Sequence, residues 1–313
     1  MYIMKKYLVF DIGGTFIKYA LMDDSRTVLK HGSVASPLED LPHLLDALET
    51  IGRQFKGDYA GVSISMPGRI DTQKGIAHIG GAFTFIKDTP FASLVEQRLH
   101  VPVIIANDGK CAANAEILDG ALADVENGAV LVLGTGTGGG IVLNGKVWMG
   151  NSFAAGELSH LPMEFTALAN HFSDPLFDST KYIWVNVMSA RGLLQRYAMR
   201  KGVPAEGHGI DGYAFFNAYH SKEPQALETM AEFGRYAAIG IYAIQSVLDL
   251  QRYAIGGGIS AQPEVTDEIR NALDSLYDTL PTTPFSKPEI VRCRHGNNAN
   301  LLGALQFFLD MVE

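Results

Sequence analysis

Apolar and polar residues alternate in short blocks through the first third of the chain. Tyr7–Asp11, Phe16–Met22 and Thr27–Ser33 read as three strands, joined by the turns Gly13-Gly14-Thr15 and Asp23-Asp24-Ser25-Arg26. Between Leu41 and Phe55 the apolar positions Leu44, Leu45, Leu48 and Ile51 fall at helical spacing. Tyr59–Gly68 predicts a strand ending in a Pro-Gly turn, and Phe91–His100 a helix. Val101–Ala106 carries no charge, which predicts a strand buried on both faces, with a helix following from about Gly109 to Leu118.

The pattern then restarts. Gly128–Gly150 repeats the opening in form, an apolar strand, a turn of glycines and threonines, and another apolar strand, about 120 residues later. A duplicated strand–turn–strand predicts two related α/β domains facing a shared cleft. The expected domains are residues 1–118, joined by the terminal helix at about 299–313, and residues 119–298. From about Tyr182 the spacing is mostly helical, up to a strand at Leu250–Ser260 that breaks into three glycines.

Composition narrows the chemistry. The 313 residues are 47% hydrophobic, enough for the cores of two domains. Lys and Arg total 25 against 34 for Asp and Glu, a formal charge of −9, which argues against a nucleic-acid partner. The two cysteines, Cys111 and Cys293, make neither a disulfide framework nor a zinc spacing. The first apolar run is too short for a signal-peptide core and no run approaches a membrane span, so the expected compartment is the cytoplasm.

Two glycine motifs are decoys. Gly134, Gly136 and Gly139 satisfy G-x-G-x-x-G, but that fingerprint needs a helix N-terminus after it to bind a pyrophosphate. Here a strand follows, with an Asn144-Gly145 hairpin turn. Gly140–Lys146 satisfies G-x-x-x-x-G-K, but Val147 stands where Ser or Thr is required, and the Gly-Lys pair lies in the same hairpin.

What remains is a pair of hairpin tips, Gly13-Gly14-Thr15 and Gly134-Thr135-Gly136-Thr137. Both expose backbone N–H groups and hydroxyls, and such turns form anion-binding concavities that could together hold a polyphosphate. Asp11 stands where a Mg²⁺ bridging the phosphates needs a carboxylate, directly or through water. Gly256-Gly257-Gly258 would let a flat group such as adenine approach the backbone. Asn107-Asp108, between a buried strand and a helix, reads equally as a helix cap or as catalytic chemistry.

With these motifs in order, the chain resembles the ROK family of sugar kinases and repressors, within the actin-like ATPase superfamily. The residues that carry the resemblance are Asp11–Thr15, Gly61–Asp71, Ile105–Glu116, Leu133–Gly145, Ala154–His160, Ile255–Ser260 and Asn297–Leu305, spanning nearly the whole chain. The resemblance implies an α/β fold of two actin-like (ribonuclease H-like) domains flanking an interdomain cleft, with ATP and Mg²⁺ as cofactors and a homodimer as the assembly. Repressors of the family carry a DNA-reading helix-turn-helix before the first phosphate strand. Only six residues precede Tyr7, so the kinase reading is preferred.

By the same resemblance Asp108 is the general base that takes the proton from a sugar C6 hydroxyl. Asn107, Asp108, Glu157, His160 and Gly68 contact the sugar. Asp11, Gly13, Gly14, Thr15, Gly134, Thr135, Gly136, Thr137, Gly256 and Gly257 contact the nucleotide or its metal. From the residues alone, Glu157 and His160 read as surface positions, Lys18 as outward-facing and Cys111 as packed core. In most relatives that histidine also binds a structural zinc with three cysteines. Leu161–Tyr182 has no cysteine, so no zinc is expected, and Glu164 and Asp178 are candidates for a missing pocket glutamate. Ile79–Phe83 after Asp71–Ile76 resembles the β-glucoside kinase branch; an N-acetylmannosamine kinase, a glucokinase and an inactive sugar-binding sensor are the alternatives. Phe165, Phe172 and Phe177 could stack on an aglycone.

Overall fold

The structure is a computed structural model that describes residues 4–170, 178–207 and 209–312. In chain order its elements are β1 (Lys6–Ile12), β2 (Phe16–Asp23), β3 (Val28–Ala35), α1 (Leu41–Gln54), β4 (Gly61–Met66), β5 (Arg69–Asp71), β6 (Ile76–Ile79), β7 (Lys87–Thr89), α2 (Phe91–Leu99), β8 (Val103–Asn107) and α3 (Asp108–Asp119). There follow β9 (Gly128–Leu133), β10 (Thr137–Leu143), β11 (Lys146–Val147), α4 (Phe165–Asn170), α5 (Ala190–Arg200), α6 (Gly212–His220), α7 (Pro224–Leu248), β12 (Arg252–Gly256), α8 (Pro263–Thr279), β13 (Glu289–Arg292) and α9 (Ala299–Val312).

The chain divides into two compact units, Met1–Ala123 with Lys146–Gly156 and Asn297–Glu313, and Asp124–Gly145 with Glu157–Gly296. Residues 119–123, 146–156 and 297–298, expected in the second domain, lie in the first unit. Two five-stranded sheets have the same topology, β3-β2-β1-β4-β8 and β11-β10-β9-β12-β13. In each, an antiparallel hairpin is followed by strands parallel to its first member: β4 beside β1 and β8 beside β4, then β12 beside β9 and β13 beside β12. The repeated pattern in the sequence is thus a repeated strand order.

Alternation along β1 explains why its run is apolar throughout. Leu8, Phe10 and Ile12 enter a core with α1 and α2, whereas Tyr7 and Val9 enter a second core with α9 and Cys111 of α3. Asp11 shares the parity of Tyr7 and Val9. α9 lies tightly on α3, because Gly303 leaves no room for a Cβ beside the Cys111 carbonyl, and Asn114 Nδ2 donates to the Gly303 carbonyl at 3.2 Å. Ser63 also donates its hydroxyl to the Ala304 carbonyl at 2.5 Å.

The second unit is built on Trp184, which is fully buried and donates Nε1–H to the Tyr236 carbonyl at 3.1 Å. Gly240 on α7 makes space for its ring. A small third sheet, β5-β6-β7, was not foreseen; its strands have three or four residues, too few for a period-2 signal.

Candidate active site

In the first unit the parallel strands β1, β4 and β8 end at one edge of the sheet. Asp11 lies in register with Ser65, and Met66 with Asn107. Asp11 is buried, and Ser65 Oγ and Asn300 Nδ2 donate to its Oδ1 at 3.1 and 2.9 Å. Lys18, its cross-strand neighbour on β2, brings Nζ within 3.6 Å of Oδ2, with side-chain exposures of 46% for the lysine and 9% for the aspartate. Lys18 is exposed, as the sequence suggested, yet its ammonium turns back onto Asp11.

The Gly13-Gly14-Thr15 turn is limited by space. Neither glycine has a φ in the left-handed range, so the reversal does not depend on glycine's conformational freedom. The limit is space: a Cβ on Gly13 would lie 3.2 Å from the Phe16 carbonyl oxygen, and one on Gly14 would lie 3.1 Å from Ala82 Cβ. Ser36 bonds the turn's carbonyls, with Oγ to Gly13 O at 2.5 Å and N–H to Thr15 O at 3.0 Å, while Gly14 and Thr15 stay exposed.

Asn107 caps α3, accepting the Lys110 N–H at 3.1 Å, and its Nδ2 donates to Gly68 O at 2.9 Å and to Asp108 Oδ1 at 3.1 Å. The Gly109 N–H donates to the same Asp108 oxygen at 2.8 Å. The capping role therefore belongs to Asn107. Gly68 has φ +98°, and a Cβ there would collide with the Ile79 carbonyl. Gly81, with φ +60°, sets its α-carbon against Pro67, leaving 2.9 Å from an added Cβ to Pro67 Cβ. Gly14, Pro67–Gly68, Gly80–Ala82 and Asn107–Asp108 thus converge within this unit, and the sequence had given no sign of the contact between Gly14 and Ala82. Behind them Cys111 is fully buried; burial pushes its thiol well up, helped by the charges of Asp108 and Asp11.

In the second unit β9 and β12 end side by side, Gly256 in register with Val132. The turn after β9 is closed by Gly134 N–H to Gly136 O at 2.9 Å and tied to the start of α5 by Ala190 N–H to Gly134 O at 2.8 Å. Thr135 and Gly136 are exposed, whereas Thr137 is buried and gives its hydroxyl proton to the Met188 carbonyl at 2.9 Å. Gly257 has φ +89° and no room for a Cβ against the Leu133 carbonyl, and Gly256 backs onto Cys293 Sγ. The open position of the three is Gly258, with nothing within 4 Å of an added Cβ. Both decoys fail in three dimensions as well: Asn144 and Gly145 have φ of 53° and 69° in a hairpin turn, and Lys146 is exposed.

Glu157, half-buried, precedes the short 3-10 helix Leu158–His160, which packs on β10; His160 is exposed. Of the stand-in acids, Glu164 and Asp178 are both exposed, and the Thr180 hydroxyl and N–H hold Asp178 below the usual carboxylate range. His171, Phe172 and Phe177 lie outside the described residues. Among the described residues no group of three or more His, Cys, Asp or Glu side chains could hold a metal ion. Asp11 as a single carboxylate suits a Mg²⁺ that keeps its waters and arrives on phosphates, not one held in a cage of protein ligands. No helix among the described residues is long and apolar enough to cross a membrane.

A sequence model described as the ROK family matches residues 7–311. The chain belongs to the ROK family. This ROK protein is 29% identical over 310 residues to a β-glucoside kinase of Klebsiella pneumoniae, covering 98% of the chain and 97% of that relative. Its fold is similar to that of a Listeria monocytogenes protein described as a candidate N-acetylmannosamine kinase, with TM-score 0.85, 27% identity and coverage of 98% and 100%. It is also similar to a Streptomyces griseus ROK glucokinase solved with glucose and AMPPNP, with TM-score 0.81, 25% identity and coverage of 96% and 98%. The fold is the actin-like, ribonuclease H-like α/β architecture. Three features of this ROK protein escaped the sequence reading: the Lys18–Asp11 pair, the approach of Ala82 to Gly14, and the environment of Arg69. The first depends on the exact hairpin register, and the others on contacts or on a turn direction that only the fold sets.

Proposed function

We propose that the protein is an ATP-dependent sugar kinase that transfers the γ-phosphoryl group to the C6 hydroxyl of a hexose or β-glucoside. The observation that carries this reading is the state of Asp108. Asn107 supplies the helix cap, so Asp108 is not needed there, and its carboxylate is oriented through Oδ1 by Gly109 N–H and the Asn107 amide. A positioned carboxylate at the end of a buried strand can accept the proton of an attacking hydroxyl. Phosphoryl transfer otherwise needs alignment and charge stabilisation.

In this reading the exposed Gly14 and Thr15, with Thr135 and Gly136, bind phosphates, and the open face at Gly258 admits the nucleotide's ring. Mg²⁺ bound to the phosphates would offset their charge, with Asp11 as its carboxylate partner, directly or through water. Thr137 contributes through its backbone, since its hydroxyl proton is engaged. Glu157 and His160 take sugar hydroxyls. Asn107 acts first by holding Asp108 and Gly68 in place. Cytoplasmic location and a homodimer belong to the same proposal, on family resemblance.

The relatives support the reaction class: one is named a β-glucoside kinase, and another was solved with glucose and AMPPNP. N-acetylmannosamine kinase and glucokinase remain the second readings within that class. Measuring ADP release from ATP and Mg²⁺ across a sugar panel tests the proposal. Absence of ADP release with every sugar in the panel would favour the inactive sensor.

A further inference from the structure

Arg69 is the first residue of β5, and its Nε–H is buried with no hydrogen-bond partner. No side-chain hydrogen bond or ion pair of Arg69 occurs among the described residues. Arg196 also has a buried Nε–H without a partner, but its guanidinium, like those of Arg98, Arg200 and Arg252, is held by carboxylates. Arg98 pairs with Asp46 and Glu49, Arg196 and Arg200 with Glu232, and Arg252 with Asp124 and Glu289. A guanidinium has five donors in a fixed fork and no acceptor, so even one N–H buried without a partner is unfavourable, and a ligand oxygen would relieve it. The acid nearest in sequence does not fill the need, because Asp71 accepts the Lys74 N–H at 2.9 Å and pairs with Lys74 Nζ at 3.9 Å.

Its position is fixed. Gly68, immediately before it, is locked at φ +98° against Ile79 and gives its carbonyl to Asn107, the residue that also holds Asp108. The register of β5 against β6 shifts between Arg69 and Ile70, the kind of irregularity that re-aims a side chain beside a functional site. Ile70 and Asp71 are buried in the unit while Arg69 stays half-exposed. Its backbone therefore stands one residue from the Gly68 carbonyl that Asn107 binds.

We propose that Arg69 is a specificity-determining residue of the acceptor site, donating to one oxygen substituent of the sugar away from the phosphorylated hydroxyl. The inference rests on the sugar-kinase reading. The test takes the sugar the wild-type enzyme prefers and its monodeoxy or deacylated analogues, and measures kcat, KM for sugar and KM for ATP in wild type, Arg69→Met and Arg69→Lys. Loss of a charged donor should lower kcat/KM for the parent sugar by about 10- to 100-fold, mostly through sugar KM. For one analogue, the one lacking the oxygen that Arg69 reads, wild type and variant should be nearly equal. Arg69→Lys keeps the charge without the fork and should recover part of the loss, and it carries the test if Arg69→Met does not fold. An equal loss on every analogue, a raised KM for ATP alone, or no loss at all would overturn the proposal. A wild-type enzyme that turns over no sugar overturns the kinase reading itself and this inference with it. Turnover with uniform Arg69 effects overturns only the latter.

Discussion

The side-chain amide of Asn107 donates to the carbonyl of Gly68 at 2.9 Å across 39 residues of chain, and so ties the end of β8 to the turn after β4. The same side chain caps α3 and holds Asp108. One residue thus sets the position of the neighbouring carboxylate.

Asp108→Asn should therefore separate geometry from proton transfer. Asn107 keeps its cap and its bond to Gly68, so melting temperature and sugar affinity should change little. Loss of a positioned base lowers kcat by ~10²–10⁴-fold. Steady-state kinetics alongside thermal melting checks this. Unchanged turnover would mean that the carboxylate is not the base.

Much of this was legible in the chain. The β1–β2 and β9–β10 hairpins, the Asn144-Gly145 turn and the buried β8 follow from period-2 alternation and turn chemistry, which are local. The strand ends that gather Asp11, Gly68 and Asn107 follow once β1, β4 and β8 are known to be parallel neighbours. What stayed hidden needs either an exact hairpin register or contacts between distant parts of the chain. The pairing of Lys18 with Asp11 needs the cross-strand register, and the packing of Gly80–Ala82 on Gly14 and Pro67 needs the small third sheet. Gly13 and Gly14 keep ordinary φ angles and are limited by their neighbours, which no local pattern shows.

Gly257 and Gly258 should respond differently to a methyl group. Gly257→Ala sets a side chain at φ +89° against the Leu133 carbonyl and should lower the melting temperature sharply. Gly258→Ala enters open space and should leave the melt unchanged, while Gly258→Val should raise KM for ATP with little effect on sugar KM. Paired melting curves and ATP titrations read both. Equal tolerance of alanine at 257 and 258 would contradict the packing described.

The Glu232 cluster predicts part of the acid sensitivity. Burial pushes Glu232 up, but the Arg200 and Arg196 guanidiniums outweigh it and hold the carboxyl below its usual range. A carboxylate lowered in the folded state adds stability above its unfolded pKa of roughly 4.3, and that stability is lost as pH falls through the folded value. Glu232→Gln should therefore be less stable than wild type at pH 7, with the gap narrowing below about pH 4. Denaturant melts at both pH values measure this. A gap that widens in acid would be the wrong sign.

Purified protein should contain no stoichiometric zinc, and chelators should leave its thermal stability unchanged while abolishing activity that added Mg²⁺ restores. Elemental analysis with a melting curve tests this. One zinc per chain would point to non-cysteine ligands that include His160, with His171 as a candidate partner.

The central claim is tested most directly by incubating the protein with ATP and Mg²⁺ and each of cellobiose, glucose and N-acetylmannosamine. ADP release is followed, and the phosphorylated carbon is located by phosphorus–carbon coupling in the NMR spectrum of the product. Phosphate is expected at C6, with kcat/KM for cellobiose at least equal to that for glucose. A cellobiose value far below either monosaccharide would remove the β-glucoside assignment, and absence of ADP release with every sugar would contradict the kinase.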